Sequence, residues 1–215
     1  MAQGKYVNDS ELNRRPIATR NAGWAQAMAA WLARTALTPD QISAVSIVFS
    51  GIGAALLAWW PTAAGLLLCA LCIQLRLLCN LLDGLVAVEG GKGSKLGKIY
   101  NEFPDRITDS LLLVALGYAC GAPWLGWLCA LLAVLTAYVR MFGGSLGFAQ
   151  DFRGPLAKAQ RMAVLTLACV IGAAESFWHA ERWALYGAAV VIATGSLVTC
   201  FMRTRAIAAH MRAGS

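Results

Sequence analysis

Six long apolar runs, joined by mostly short connections, make up most of the chain. They lie at 41–60, about 62–86, 98–120, 123–146, 160–179 and 183–203. The first, QISAVSIVFSGIGAALLAWW, has the roughly 20 residues that an α-helix needs to cross a hydrocarbon core of about 30 Å. The pattern predicts an all-α integral membrane protein with six transmembrane helices.

The segment before the first run has a different pattern. In RRPIATRNAGWAQAMAAWLAR (14–34), Trp24, Met28 and Leu32 recur at helical spacing between flanking arginines. This indicates an N-terminal amphipathic juxtamembrane helix on an anionic membrane face, although an ordinary polar leader also fits. LTPD (37–40) predicts a turn and an N-cap before the first span. We therefore expect a cytoplasmic N-terminal segment (1–40), one membrane domain (41–207) and a cytoplasmic tail (208–215).

Composition and charge support a membrane protein and set its expected orientation. The chain is 59% hydrophobic and 13% charged, which leaves too little polar surface for a bundle in water. Lysines and arginines precede the first run, follow the last, and occupy the second and fourth connections, whereas the other connections hold only Arg182. This asymmetry predicts cytoplasmic termini. The net charge of +7 is therefore a topology signal rather than a nucleic-acid footprint.

Polar residues at helical spacing mark the facing ends of the second and third runs. Asn80 and Asp83 lie near the end of the second run, and the third carries a stripe at four-residue spacing: Gly97, Asn101, Asp105 and Asp109. Residues four apart share one helix face. With a Gly- and Lys-rich turn between them, the two runs should form an antiparallel hairpin whose oxygen-bearing stripes face each other at the cytoplasmic surface.

These oxygen donors predict a cation site. Charged groups at membrane depth are costly and are retained where they face a polar cavity and partners. Carboxylates and amide oxygens without His or thiolate suit a hard divalent cation, Mg²⁺ or Mn²⁺. The candidate ligands are Asn80, Asp83, Asn101, Asp105 and Asp109. The alternative is that these residues are helix caps beside a salt-bridged turn, for example Glu89 with Lys92.

Small residues beside the acidic stripe suggest what the site binds. Gly84, Ala87 and Gly97 have almost no side chain, so a bulky group can approach the backbone between the two stripes. A divalent cation beside a basic loop and a small-residue slot suits a substrate that contains a diphosphate.

The stretch from Asn80 to Asp105 resembles the signature of the CDP-alcohol phosphotransferase family. That signature reads D-x-x-D-G-x-x-A-R, a loop, then G-x-x-x-D-x-x-x-D, and this chain has N-x-x-D-G-x-x-A-V, a loop, then G-x-x-x-N-x-x-x-D. The six-span plan, the entry helix, LTPDQIS (37–43) and TAYVRMFGGSLG (136–147) are also similar to the family. The resemblance covers essentially the whole chain and implies a homodimer in the bacterial inner membrane.

The chain departs from the signature at three positions. Asn80 and Asn101 replace the first and third aspartates, and Val88 replaces the arginine. In the family the first three aspartates bind metal and the fourth acts as the base, so the resemblance implies Asp105 as the catalytic residue. Asparagine oxygens can ligate a cation but carry no charge, and Asp109 continues the stripe as a candidate to compensate. A catalytically inactive paralogue remains an alternative.

The resemblance implies transfer of a phosphatidyl group from CDP-diacylglycerol to a polar alcohol, with release of CMP. The CDP-lipid would contact Asp83, Gly84, Ala87, Gly97 and Asn101. Arg140, Lys158 and Arg161 should gather at the same cytoplasmic mouth, where they bind an acceptor that carries its own phosphate, such as inositol phosphate or glycerol phosphate, or serve only as positive-inside charges. A small cation- or proton-coupled transporter is the rival class, but its inverted repeats and midplane charges are not seen in the sequence.

Overall fold

The computed structural model describes residues 22–89, 91, 97–178 and 182–213. Within these ranges the chain is entirely helical apart from its connections. It forms seven helices: α1 (Gly23–Ala33), α2 (Pro39–Trp59), α3 (Ala63–Glu89), α4 (Gly97–Ala119), α5 (Pro123–Ser145), α6 (Lys158–Glu175) and α7 (Trp183–Ala213). The predicted all-α class is confirmed.

The start of α2 follows from its local sequence. Thr38 Oγ1 accepts a hydrogen bond from the Gln41 backbone N–H (3.2 Å), and the Thr38 N–H donates to Gln41 Oε1 (3.0 Å). This reciprocal pair satisfies two backbone donors at the helix start. Pro39 occupies the first turn, where its missing N–H costs nothing. The predicted N-cap is confirmed.

Helix α1 packs beside the bundle through a face of small residues. Ala25, Ala29 and Leu32 are buried in a cluster with residues of α3, whereas Trp24 and Met28 are exposed. Leu32 therefore does not share the face of Trp24, because each four-residue step drifts by about 40° around a helix. Residues 14–21 of the predicted amphipathic segment lie outside the described residues.

Four of the described helices are long and apolar enough to cross a membrane: Pro39–Trp59, Ala63–Val88, Pro123–Ser145 and Trp183–Ala213. They correspond to the first, second, fourth and sixth predicted spans. The other two predicted spans correspond to α4 and α6, which are also helical but carry charged residues, α4 as far as Asp109 and α6 at both ends.

The helices from α2 to α7 form one bundle around a shared core. Helix α2 packs against α3 and α4, α4 against α5, α3 against α6, and α7 against α5 and α6. The core contains leucine, alanine and cysteine side chains from α2 to α7, including Leu57, Leu66, Leu112, Cys169 and Leu185. The outer surface is apolar too, with Phe201, Leu131 and Leu167 all exposed. Such a surface suits a lipid solvent.

Two helix backbones, those of α4 and α5, approach each other closely at a pair of glycines. A Cβ added to Gly117 would lie 2.6 Å from the Gly126 Cα, and one added to Gly126 would lie 2.7 Å from the Gly117 Cα. Backbone atoms cannot yield as a flexible side chain can. The two glycines therefore set the distance between the helices, as small residues do in membrane bundles.

We predict that Gly117→Ala destabilises the bundle. Overpacking a close contact costs about 1–3 kcal/mol, and about 1 kcal/mol lowers the melting temperature by roughly 2–4 °C in a chain of this size. Gly51→Ala is the matched control, because a Cβ there has no atom within 4 Å. Thermal unfolding in detergent checks both variants. Equal melting temperatures for the two would contradict the assignment of Gly117 as a contact residue.

Candidate active site

Long side chains, rather than close backbone packing, join α3 to α4. Asn80 Nδ2 donates a hydrogen bond to Asp105 Oδ1 (2.9 Å), and Arg76 pairs with Asp109 Oδ1 (2.6 Å). Moving from Arg76 to Asn80 along α3 thus corresponds to moving back from Asp109 to Asp105 along α4. The two helices therefore run antiparallel. Helix α2 packs against both. The polar stripes face each other across the gap that these side chains span.

Asp83 lies in α3 one turn beyond Asn80 and is 4% exposed. Its Oδ2 accepts a hydrogen bond from Ser43 Oγ of α2 (2.6 Å). Its Oδ1 is buried and has no hydrogen-bond partner among the described residues. The carboxylate also lies within electrostatic range of Asp105 and Lys158. A buried carboxylate oxygen without a partner is costly, so Asp83 is suited to a cationic ligand.

Asp105 is the most heavily contacted carboxylate of the α4 stripe. Its Oδ1 accepts the Asn80 hydrogen bond, forms an ion pair with Lys158 at the start of α6, and lies 3.7 Å from Arg76. Its Oδ2 is 3.9 Å from Arg106. An aspartate at position 80 could not donate such a hydrogen bond while ionised. Asn80 therefore orients Asp105 through a hydrogen bond, whereas an ionised aspartate at position 80 would repel the Asp105 carboxylate.

Asp109 is held between two guanidinium groups. Arg76 of α3 contacts its Oδ1 at 2.6 Å, and Arg161 of α6 contacts its Oδ2 at 3.0 Å. Arg161 also donates to Thr136 Oγ1 and to the Leu156 carbonyl oxygen. Both oxygens of Asp109 are thus engaged by arginines. This geometry favours a role in joining helices, and the predicted role of Asp109 as a metal ligand stays a prediction.

A cavity of about 180 Å³ lies between α5, the α5–α6 connection and α7. We call it the arginine cavity; its polar lining residues are Arg140, Gln150, Asp151, Arg153, Arg203 and His210. Arg140 donates to Gln150 Oε1 (2.7 Å) and to Glu102 Oε1 of α4 (2.6 Å). Through Glu102 it links the cavity to the carboxylate stripe. Three arginines against one aspartate give the cavity a positive balance.

Contacts with the α5–α6 connection fix the charged side chains of the arginine cavity in place. Partial burial acts to raise the pKa of Asp151, but hydrogen bonds from Arg153 and its positive charge outweigh burial and hold that pKa below its usual value. Arg203 donates to the Arg153 carbonyl oxygen and to the Thr136 carbonyl oxygen, both at 2.8 Å. These bonds fasten the α5–α6 connection to α5 and α7.

The structure brings together some of the predicted site residues and separates others. Asn80, Asp83 and Asp105 lie close together. The small residues Gly84, Ala87 and Gly97 are half-buried, and the side chain of Asn101 lies outside the described residues. The predicted acceptor residues divide: Arg140 lines the arginine cavity, Lys158 pairs with Asp105, and Arg161, only 1% exposed, pairs with Asp109.

Sequence reasoning missed several residues of the site. Arg76 is fully buried and touches two carboxylates, and its signal was a single arginine inside the apolar run LCIQLRLLCN. Arg203 was counted only as a positive charge after the last span. Ser43 entered only as the last residue of LTPDQIS, because its contact partner Asp83 lies 40 positions away on another helix.

The donor set fits a divalent cation only in part. Among the residues that the structure describes, no three His, Cys, Asp or Glu side chains converge as a metal site. Asp83 and Asp105 supply two carboxylates, and Asn80 adds an amide group. Carboxylate and amide oxygens are what Mg²⁺ and Mn²⁺ prefer. Asp83 Oδ1 is buried without a partner among the described residues, so this oxygen is available to bind a cation.

Two curated relatives are similar to most of the chain. Both are phosphatidylinositol phosphate synthases: that of Mycolicibacterium smegmatis is 24% identical over 186 residues, covering 81% of this chain and 79% of the relative. That of Mycobacteroides abscessus is 26% identical over 187 residues, covering 84% and 81%. No family model matches the chain.

Solved structures share the fold. The phosphatidylinositol phosphate synthase of Mycobacterium tuberculosis with CDP-DAG bound has a TM-score of 0.70 at 22% identity, covering 85% of this chain and 92% of that one. The same enzyme in complex with manganese and citrate has a TM-score of 0.71 at 22% identity, covering 85% and 88%.

Four helices of membrane-spanning length, together with the similarity to phosphatidylinositol phosphate synthases, indicate a multi-pass membrane enzyme. The two relatives, the solved structures with the same fold and the stretch from Asn80 to Asp105 all indicate the same class of enzyme. The chain is therefore similar to CDP-alcohol phosphotransferases over most of its length.

Proposed function

We propose that the protein transfers a phosphatidyl group from CDP-diacylglycerol to a hydroxyl of a phosphorylated polar alcohol, with release of CMP. The observation that carries the proposal is the arrangement of Asp83 and Asp105 on facing helices, with Asp83 Oδ1 buried and partnerless among the described residues. The relatives act as phosphatidylinositol phosphate synthases, and the solved structures contain CDP-DAG in one case and manganese in another. An inactive paralogue is the alternative that the assay below separates.

A divalent cation, Mg²⁺ or Mn²⁺, would be held by Asp83 and Asp105 with the amide oxygens of Asn80 and Asn101. When bound, it supplies positive charge that neutralises the diphosphate of the substrate. Compared with the family signature, the two asparagines remove two negative charges from the ligand positions. Two charges about 4 Å apart interact by about 4 kcal/mol at an effective dielectric near 20, so this loss weakens the binding of a second cation. We therefore propose one tightly held cation, with Asp109 left to its arginines.

The donor lipid would enter from the bilayer with its diphosphate at the carboxylates. Gly84, Ala87 and Gly97 leave space beside the stripes, because α3 and α4 are joined by side chains and not by close backbone contact. The cytidine would occupy this space. Asn80 and Lys158 hold Asp105 through Oδ1, which fixes the direction of the carboxylate before the substrate binds.

Asp105 would act as the general base. It takes the proton of the acceptor hydroxyl as that oxygen attacks the lipid-side phosphorus, and the bond from this phosphorus to the CMP oxygen breaks. The phosphatidyl group passes directly to the acceptor, and CMP leaves with the electron pair. No covalent enzyme intermediate is needed. The described side chains that contact the Asp105 carboxylate are Asn80, Lys158, Arg76 and Arg106, and none of these is a Ser, Cys or His.

The arginine cavity would hold the phosphate of the acceptor. Guanidinium groups bind phosphate through paired hydrogen bonds, and Arg140 and Arg203 are fixed in place by their own contacts. Arg140 also reaches Glu102, three residues before Asp105. An acceptor held here by its phosphate would direct a hydroxyl toward the carboxylates. Inositol phosphate and glycerol phosphate are the two acceptors that this geometry favours.

The site is proposed to face the cytoplasm of a bacterial inner membrane, in a six-span homodimer. The lysine and arginine asymmetry of the connections supports this orientation. Reporter fusions after Gly91 and after Ala122 should report opposite sides, with Gly91 cytoplasmic. A periplasmic Gly91 would contradict the orientation. Crosslinking in native membranes should capture a dimer.

We predict that the purified protein in liposomes releases CMP from CDP-diacylglycerol when Mg²⁺ and a phosphorylated polyol are present. Asp105→Asn should lower turnover by about 10²–10⁴-fold, the usual contribution of a general base, and Asp83→Asn should abolish it. Glu175→Gln is the control, because Glu175 accepts its hydrogen bonds from the Ala184 N–H at the other end of α6. Full activity in EDTA, or in both aspartate variants, would exclude the mechanism.

The same assay identifies the acceptor class. Inositol phosphate or glycerol phosphate should be used at lower concentration than unphosphorylated inositol or glycerol. Arg140→Gln should raise the KM for the phosphorylated acceptor roughly tenfold or more, since hydrogen bonds between charged groups are worth about 1.5–3 kcal/mol. The KM for CDP-diacylglycerol should stay unchanged. Equal use of the unphosphorylated alcohol would remove the cavity from the acceptor site.

A further inference from the structure

Three charged side chains form a buried triad inside the bundle. Arg76 of α3, Asp109 of α4 and Arg161 of α6 are 0%, 1% and 1% exposed. The Asp109 carboxylate receives one guanidinium on each oxygen, at 2.6 Å and 3.0 Å. The triad therefore joins three helices at one buried point inside the bundle.

The triad is a poor device for stability alone. It places two positive charges against one negative charge, and Arg76 Nε, Arg76 Nη1 and Arg161 Nε have no hydrogen-bond partner among the described residues. Buried ion pairs seldom stabilise a protein more than apolar residues of the same size. In a membrane the cost of retaining such charges is higher still, which points to function.

The geometry around Arg76 shows what the triad does for the site. Arg76 also lies 3.7 Å from Asp105 Oδ1, one helical turn from Asp109. On the same helix, Asn80 reaches the same Asp105 oxygen. Arg76–Asp109 and Asn80–Asp105 are thus successive rungs between α3 and α4. Both rungs are tied to α6, the first through Arg161 and the second through Lys158, but only the first lies fully buried.

We infer that Arg76 and Asp109, anchored to α6 by Arg161, are positioning residues that fix the register of α4 against α3 and so hold Asp105 toward Asp83. This inference rests on the proposed function, in which Asp105 is the base. Misplacing a reacting group by about 1 Å can cost on the order of 100-fold in rate. The triad therefore governs turnover without contacting the substrate.

A variant in which the three charged residues are replaced by apolar ones distinguishes an effect on turnover from an effect on folding. The triple variant Arg76→Met, Asp109→Leu, Arg161→Met removes all three charges together, so no charge of the triad is left buried without its counter-ion. We expect it to fold, with a melting temperature within about 5 °C of the parent protein, whereas Asp109→Leu alone should be far less stable. Turnover of the folded triple variant should fall about tenfold or more, with an unchanged KM for CDP-diacylglycerol.

Gln74→Leu is the matched control. Gln74 Nε2 donates to Thr166 Oγ1 (2.9 Å), so it is also a polar link between α3 and α6, but it touches no residue of the site. Its variant should keep the parental turnover. A folded triple variant with parental turnover would overturn the inference.

Lysine variants decide the question if the triple variant does not fold. Arg76→Lys and Arg161→Lys each keep a positive charge and lose the guanidinium nitrogen that contacts Asp109. Only Arg76 also reaches Asp105. We expect similar losses in melting temperature and a larger loss of turnover for Arg76→Lys. Equal turnover at equal stability would contradict a positioning role.

A thermal cycle tests the inference independently of activity. In metal-free protein, Asp105→Asn should lower the melting temperature less in a background that carries Arg76→Lys than in the parent, by roughly 2–4 °C, because the contact between the two residues is already weakened. Identical shifts in the two backgrounds would show that Arg76 does not act on Asp105. If the parent releases no CMP, the proposed function fails, and this cycle still decides whether Arg76 positions Asp105.

Discussion

The ion pairs of Asp109 with Arg76 and Arg161 are the interaction on which the site depends. They lie at full burial in an apolar bundle, where an unpaired charge would be very costly. They fix α4 against α3 and α6 although the backbones of α3 and α4 make few close approaches. The gap that results is lined by the remaining polar residues of both helices, and this gap is the candidate active site.

The carboxylates of the gap are balanced by the chain's own cations and amides. Asp105 is held by Asn80 and Lys158, and Asp83 by Ser43. The asparagine that departs from the family signature is thus a hydrogen-bond donor to the proposed base. One Asp83 oxygen has no partner among the described residues. A cation bound there would satisfy this buried oxygen. Charge balance, rather than ligand number, explains how a site with fewer acids can work.

The fold and half of the site could be predicted from the sequence, for identifiable reasons. Apolar runs and the Thr38 cap depend on nearby residues, so they predicted the helices closely. Four-residue spacing placed Asp105 and Asp109 on one face but could not show that arginines of two other helices engage Asp109. Arg76 was missed because a single arginine in an apolar run has no partner within its own sequence window. Contacts between distant helices require the fold.

Asp83 and Asp105 are proposed to hold a divalent cation between α3 and α4. Anomalous scattering from crystals soaked in Mn²⁺ tests this proposal most directly, because it locates and counts ions without relying on activity. We predict one strong peak beside Asp83 Oδ1, at about 2.0–2.6 Å from its oxygen ligands, and at most a weak second peak. No peak at Asp83, or two peaks of equal and full occupancy at low Mn²⁺, would contradict the account.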